Sequence, residues 1–304
     1  MALNTKAIKR RIKSVSSTKK ITKAMQMISA VKMRRAVQNV LAARSYANLG
    51  WEIVNDIAKK IDVRVHPLLK SRRVKHIGLI LITSNRGLAG GFSSRLLHEV
   101  HRYVLSVRAE VDAEADIILS GKHGRNIFHK FGHEVVAEFN KVDLTTRIEE
   151  ILPIAQMVMQ DFVNGKYDRI VVAYTDYNSA INQTPRVKQI LPLTNDDGLL
   201  GHIENEAPDQ EKTLATNTGF GYLFEPDPKR VLNVLLPRLV ETQIYQAVLE
   251  SDASEHSARM MAMQNATDAA EGMIKELNYS FNKARQAAIT QEISEIVGGA
   301  AALE

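Results

Sequence analysis

The sequence predicts an α/β domain inserted between two long terminal helices that pair with each other as a coiled coil. Three observations carry this. The first 51 residues hold twelve Lys and Arg and no Asp or Glu, and no Pro occurs before Pro67, so this stretch reads as one basic helix. From about Pro228 to Val297 apolar residues recur at alternating steps of three and four. Between them, short apolar runs of strand type alternate with helical stretches, the signature of βαβ units and a mainly parallel sheet. The expected divisions are 1–65, 66–227 and 228–304, the first and last forming one module.

The first helix is expected from about Asn4 to Lys60, with Asn4 or Thr5 as N-cap. Its apolar seam is Ile8, Ile12, Val15, Met25, Ile28, Ala36, Val40, Ala43, Ala47, Val54 and Ile57, thin and rich in small residues. Such a seam suits close helix–helix approach. His66-Pro67 ends it. The run Lys75–Ser84 (KHIGLILITS) reads as a strand buried on both faces. Helical period follows over Phe92–Ala109, then strand over Asp116–Ser120, helix over Lys122–Phe131, strand over Glu134–Phe139, helix over Thr146–Asn164 and strand over Asp168–Thr175. Arg186–Leu193 and Gly221–Phe224 read as further strands. Asn195–Thr218 is polar and turn-rich, an insert. Glu225-Pro226-Asp227-Pro228 is a stop-and-start signal that opens the last helix, Pro being tolerated in a first turn. That helix has the seam Leu232, Leu235, Leu239, Thr242, Gln246, Leu249, Ala253, His256, Met260, Met263, Ala266, Ala270, Ile274, Leu277, Phe281, Ala284 and Ala288. At about 1.5 Å per residue it would span roughly 100 Å. Thr242, Gln246 and His256 on the seam would fix register at some cost in stability.

Composition narrows the function. The chain has 304 residues, 45% of them hydrophobic, no Cys and a net charge of +6. Without Cys there are no disulfides and no thiolate chemistry. No apolar run is long enough to span a bilayer, so a membrane role would be indirect. The charge is uneven: the first 51 residues carry +12, leaving about −6 for the rest by subtraction. Such an arm seeks an acidic surface, nucleic acid or anionic lipid. The basic pattern runs past the length of a transit peptide.

No catalytic pattern survives inspection. The turn Thr83-Ser84-Asn85-Arg86-Gly87-Leu88-Ala89-Gly90-Gly91 lies where α/β proteins hold phosphates, but its spacing is GxxGG and it lacks a ribose-binding acid. Gly121-Lys122 is a P-loop ending without the preceding Gly or the following Ser/Thr. His98-Glu99-Val100-His101 has its second His one position short for a zinc helix. The methionines at 25, 27, 260, 261 and 263 read as a plastic packing surface.

Particular segments resemble one family. Ile21-Thr22-Lys23-Ala24-Met25-Gln26-Met27-Ile28-Ser29-Ala30-Val31-Lys32-Met33-Arg34 is similar to the N-terminal helix signature of the γ subunit of F-type ATP synthases. Asn282-Lys283-Ala284-Arg285-Gln286-Ala287-Ala288-Ile289-Thr290-Gln291-Glu292-Ile293, with Glu295-Ile296-Val297-Gly298-Gly299-Ala300-Ala301-Ala302, resembles its C-terminal signature. Asn85–Gly91 and Glu225–Pro228 add to the likeness, in the same order and over nearly the whole chain. Ala89 stands where some members carry Cys, and the Leu199–Thr218 insert is longer than in compact members.

The resemblance implies a fold and a role. The terminal helices would form an antiparallel coiled coil within a ring of α and β subunits. The Rossmann-like domain would sit against the ε subunit and the c-ring of the membrane sector. ATP chemistry would occur on β, so no catalytic, cofactor-binding or metal-binding residue is expected here. The chain would be the central rotor of a proton-translocating synthase, peripheral on the cytoplasmic side of a bacterial inner membrane. Lys23, Met25, Arg259, Arg285, Gln286 and Thr290 match positions that contact β, and Tyr222 and Glu225 fall in the segment near ε and the c-ring. The basic helix would then face carboxylates on β. The alternative is a basic coiled-coil protein that binds nucleic-acid phosphates.

Overall fold

The computed structural model describes residues 5–58, 66–125, 135–141, 147–193, 225 and 227–301. The elements are α1 (Thr5–Ala58), a short 3-10 turn (Pro67–Leu69), β1 (His76–Ile82), α2 (Phe92–Val111), β2 (Glu114–Ser120), β3 (Val135–Phe139), α3 (Ile148–Val163), β4 (Arg169–Tyr177), β5 (Gln183–Leu191) and α4 (Pro228–Ala301). Contacts divide the chain into two units: residues 1–29 with 260–304, and residues 30–259. Both long helices and the central α/β sheet of the expected fold are present. The expected N-cap Asn4, most of the helix Lys122–Phe131, the strand Gly221–Phe224 and the insert lie outside the described residues.

In the larger unit, five strands are ordered β3-β2-β1-β4-β5. β1 pairs in parallel with β2 and β4, β2 pairs in parallel with β3, and β5 returns antiparallel along β4. The expected mainly parallel sheet is therefore found, with one antiparallel edge. From Ile77 to Ile82 β1 is apolar and buried, because both its faces are covered. Ile80 and Ile82 enter one core, and Ile77, Leu79 and Leu81 the other. β4 splits the same way, with Ile170, Val172 and Tyr174 on the first side and Val171 and Ala173 on the second.

Leu96, Leu97, Val100, Val104 and Val107 of α2 cover the second face at helical spacing. The first face is covered by α3, through Ile151, Ile154, Ala155, Val158 and Phe162, and by α4, through Leu232, Leu236, Leu239, Val240, Ile244, Ala247 and Val248. Leu236, Val240, Ile244 and Val248 form a stripe on α4 separate from its expected seam, and it lies against the sheet. Asp227 caps α4, its Oδ1 accepting the Arg230 N–H at 2.9 Å, with Pro228 in the first turn. The stop-and-start signal thus works as the sequence implies.

In the same unit Ala36 and Val40 of α1 pack with Leu249, Ala253 and Tyr177. At Gly50 a Cβ would lie 2.6 Å from Leu239 Cδ2, so a larger residue here would require the Leu239 side chain to shift.

In the smaller unit the helices run antiparallel. Lys19 Nζ meets Glu271 Oε2 at 3.0 Å, Thr267 Oγ1 donates to Thr22 Oγ1 at 2.8 Å, and Gln26 Nε2 donates to Gln264 Oε1 at 3.4 Å. One expectation about α1 fails here. Ile28 is 57% exposed, while Ser29 and Thr22 are buried. Helical spacing from Ile8 through Val15 leads to Thr22 and Ser29, so geometry puts small polar residues on the seam and turns Ile28 outward. Exposed Ile21 and Met27 also lie off the seam.

Candidate functional site

Two regions hold the candidate functional side chains among the described residues. The first is the far part of α4 in the smaller unit. The antiparallel register places Thr5, the first described residue of α1, near Ala284 and Arg285. Residues 285–299 are all exposed, and Ala288, expected on the seam, is exposed among them. This bare helix carries Arg285, Gln286 and Thr290; the Thr290 hydroxyl is turned back onto the Gln286 carbonyl at 3.0 Å. It also displays Ile289, Ile293, Ile296 and Val297, between 48% and 71% exposed and repeating at helical spacing. On α1, Lys23 is exposed and Met25 half-buried. Of the methionines, Met263 is buried, Met260 and Met261 are half-buried and Met27 is 58% exposed.

The second region ties α4 to the loops at the carboxyl ends of the strands. Lys141 follows β3 and is buried. Its ammonium lies 2.5 Å from Asp252 Oδ1 and 3.0 Å from Glu255 Oε2. Burial opposes its charge, but the two carboxylates outweigh burial and raise its pKa above that of an ordinary lysine. Burial likewise pushes Glu255 up, yet Lys141 and Arg259 hold its carboxyl below the usual value.

Arg259 Nη2 lies 2.8 Å from Glu255 Oε1 and donates to the carbonyls of Arg86 and Gly87 at 3.3 and 3.4 Å. The β1–α2 loop is therefore fastened to α4, and Ala89 of that loop and Phe92, the first residue of α2, are buried with Ala258. Held this way, the loop keeps Leu88 at a φ of 64° and 63% exposed. His256, in the same turn of α4, is pushed down to about 4 by burial, and nearby Arg259, Lys141 and Lys32 add to the effect against Glu255. It is neutral at pH 7.

The contact residues expected from the sequence thus fall in different surroundings. Lys23, Arg285, Gln286 and Thr290 face outward and Met25 is half-buried. The side chain of Arg259 is 12% exposed and committed to its own chain. Glu225 is exposed, and Tyr222 lies outside the described residues. Sequence reasoning missed the Lys141–Asp252–Glu255 cluster. Its signal is the density of acids and serines in Glu250–His256, spread over several faces of the helix rather than along its seam. Among the described residues no group of His, Cys, Asp or Glu has the arrangement of a metal site.

A family model described as ATP synthase matches residues 4–303. The ATP synthase gamma chain of Chloroflexus aurantiacus is 42% identical over 303 residues, 99% of each chain. That of Legionella pneumophila is 37% identical over 298 residues, covering 98% of this chain and 99% of its own. Among solved structures, a mitochondrial ATP synthase assembly of OSCP, F1 and c-ring from Euglena gracilis contains a chain with TM-score 0.63 and 20% identity, covering 98% of this chain and 94% of that one. A chain of the central stalk and c-ring of the Tetrahymena thermophila enzyme has TM-score 0.57 and 22% identity, covering 81% and 99%. These structural likenesses speak to the fold.

Proposed function

The chain belongs to the ATP synthase gamma chain family, and from that premise we propose that it is the central rotor shaft of a proton-translocating F-type ATP synthase. The observation that carries the reading is the bare end of α4: an apolar, exposed helical row at 289, 293, 296 and 297, on a chain that matches gamma chains from end to end. An apolar row of that kind calls for a sleeve of other subunits. An apolar sleeve offers few directional bonds to resist turning.

The α and β subunits surround this helix pair. Lys23, Met25, Arg285, Gln286 and Thr290 meet β, and Arg259 acts from within by fixing the β1–α2 loop. Tyr222 and Glu225 face ε and the c-ring. The chain is non-catalytic: an asymmetric shaft presents a different side to each β, and each orientation favours one β conformation through differential contact. No described helix is long and apolar enough to cross a membrane. Attachment is peripheral, through the c-ring, on the cytoplasmic face of a bacterial inner membrane. The reading of the basic helix as a nucleic-acid arm finds no support in the matches.

Reconstitution with α and β subunits of a relative tests this. The expected result is an ATPase complex that retains the chain, with the triple variant Arg285→Ala, Gln286→Ala, Thr290→Ala lowering turnover. ATP hydrolysis by the isolated chain, or failure to enter the complex, would overturn the proposal.

A further inference from the structure

Asn164, which precedes Gly165, is the one asparagine of this chain followed by glycine. The two residues close α3. Gly165 N donates to Phe162 O at 3.1 Å and Lys166 N to Asp161 O at 3.0 Å, the paired bonds of a Schellman stop, with Gly165 at a φ of 80°. The stop accounts for the glycine, which takes a left-handed conformation without steric cost. It does not account for the asparagine. Asn164 has helical angles open to most residues, φ −71° and ψ −8°, and its carboxamide makes no hydrogen bond among the described residues.

The pair carries a chemistry of its own. A main-chain nitrogen can attack the carboxamide carbon of the preceding asparagine, and a side chain on the attacking residue obstructs this. Glycine offers no such obstruction. Space is open here as well: the nearest atom that a Cβ at Gly165 would meet is Arg72 Nη1, at 3.5 Å. Asn178, before the small residue Ser179, is the contrasting case, half-buried and with its Nδ2 donating to Thr184 Oγ1 at 3.1 Å.

Attack requires Gly165 N to release the Phe162 carbonyl. Val163, Asn164, Gly165 and Lys166 are all exposed, so opening this turn uncovers little buried surface, which is the signature of a region that opens locally. Two tethers resist it. Lys166 Nζ lies 2.9 Å from Asp161 Oδ2 and 4.8 Å from the centre of the Tyr167 ring, and Arg72 Nη1 donates to Phe162 O at 2.9 Å.

We propose that Asn164 is a site of spontaneous deamidation, cyclising onto the Gly165 nitrogen when the last turn of α3 opens. Gly165 N gives up its proton to solvent base and bonds to Asn164 Cγ; the side-chain nitrogen leaves as ammonia, and a cyclic imide remains. Water opens the imide at either carbonyl, giving aspartate or isoaspartate, so the sum is one water consumed and one ammonia released. Aspartate puts a negative charge at the negative end of the α3 dipole, in the same turn as Asp161. Isoaspartate adds a methylene to the main chain just before Tyr167, whose hydroxyl donates to Asp116 Oδ2 at 3.0 Å, and Asp168, whose Oδ2 accepts the N–H groups of Lys75 and His76 at 2.9 and 3.1 Å. The modification therefore strikes where β1, β2 and β4 begin. It stands apart from the rotor reading and does not depend on it.

The full-length chain is held at mildly alkaline pH, sampled over time and digested with trypsin. Mass spectrometry follows the peptide 148–166, and isoaspartate is scored within it. Deamidation is expected in this peptide ahead of every other asparagine peptide, with isoaspartate exceeding aspartate, and more slowly at mildly acidic pH because the attacking nitrogen must lose its proton. Asn164→Gln should abolish it. Lys166→Ala, read in the longer peptide 148–169, should speed it about threefold, the scale of a partly exposed ion pair. An Asn164 that stays intact while another asparagine reacts first, or a rate that Lys166→Ala leaves unchanged, would overturn the proposal.

Discussion

Replacing Lys141 with Met tests the fastening between α4 and the strand ends. The substitution keeps the stem and removes the ammonium that lies 2.5 and 3.0 Å from two largely buried carboxylates. Breaking a buried ion cluster by deleting one partner costs about 3–5 kcal/mol. Arg259 still reaches Glu255 at 2.8 Å, so the lower end, about 3 kcal/mol at pH 7, is expected. For the roughly 230 residues Ala30–Arg259 the unfolding entropy is about 0.5 kcal/mol/K, so Tm should fall by about 6 °C.

The pH dependence gives a sharper test. In the parent chain Glu255 sits below its ordinary value, so it contributes stability that is present above about pH 4.5 and lost as pH falls through the folded value. With Lys141 gone, burial gains the upper hand and the carboxyl takes up its proton more readily in the folded state. The gap between parent and variant should therefore narrow on acidification. Thermal unfolding at pH 7 and pH 4.5 reads both effects. A Tm change under about 2 °C at pH 7, or a gap that does not narrow, would refute the idea that the cluster is an electrostatic fastening.

Three further outcomes follow from the same structure. His256 is neutral when folded, with a pKa near 4 against 6.5 unfolded, so stability falls as pH drops from 6.5 toward 4, by about 3 kcal/mol in all; His256→Gln should flatten that acid limb in a urea-unfolding series. Thr267→Val removes the hydroxyl that bonds Thr22 and the Met263 carbonyl, and should cost about 1 kcal/mol. Adding Thr22→Val should recover most of this, a coupling that a double-mutant cycle measures. Leu236→Ala empties a fully buried position of the sheet core and should cost about 3 kcal/mol in denaturant unfolding.

Much of this fold is written in periodicity. β1 and β4 are apolar on consecutive residues because helices cover both faces, and that pattern is visible without coordinates. The α4 seam is also legible, because leucines and small residues at alternating steps of three and four line up along one side of a helix. Thr22 and Ser29 are hidden for the opposite reason: a seam made of small polar residues looks like surface, and Ile28 beside them looks like core. Leu236, Val240, Ile244 and Val248 belong to a second apolar stripe on α4, and a search for one heptad seam passes over it. The Lys141 cluster joins residues more than a hundred positions apart, and no local pattern announces such a meeting. The outward residues proposed to meet β, by contrast, are legible only through likeness to a family, since an exposed Arg or Gln on a helix carries no mark of its purpose.

The burial of α4 changes along its length, and hydrogen exchange should record this. Nearly every residue from Leu239 to Ala258 is buried or half-buried, whereas those from Arg285 to Gly299 stand in the open. Amides in the first stretch are released only when the larger unit unfolds, so their exchange reports global stability. Amides in the second are released by fraying, because a short helix without a neighbour is marginal in water. A single unbroken helix of 74 residues therefore has no single melting point. Its exposed end should order fully only when something closes around it, so protection gained there on assembly measures how firmly the sleeve grips.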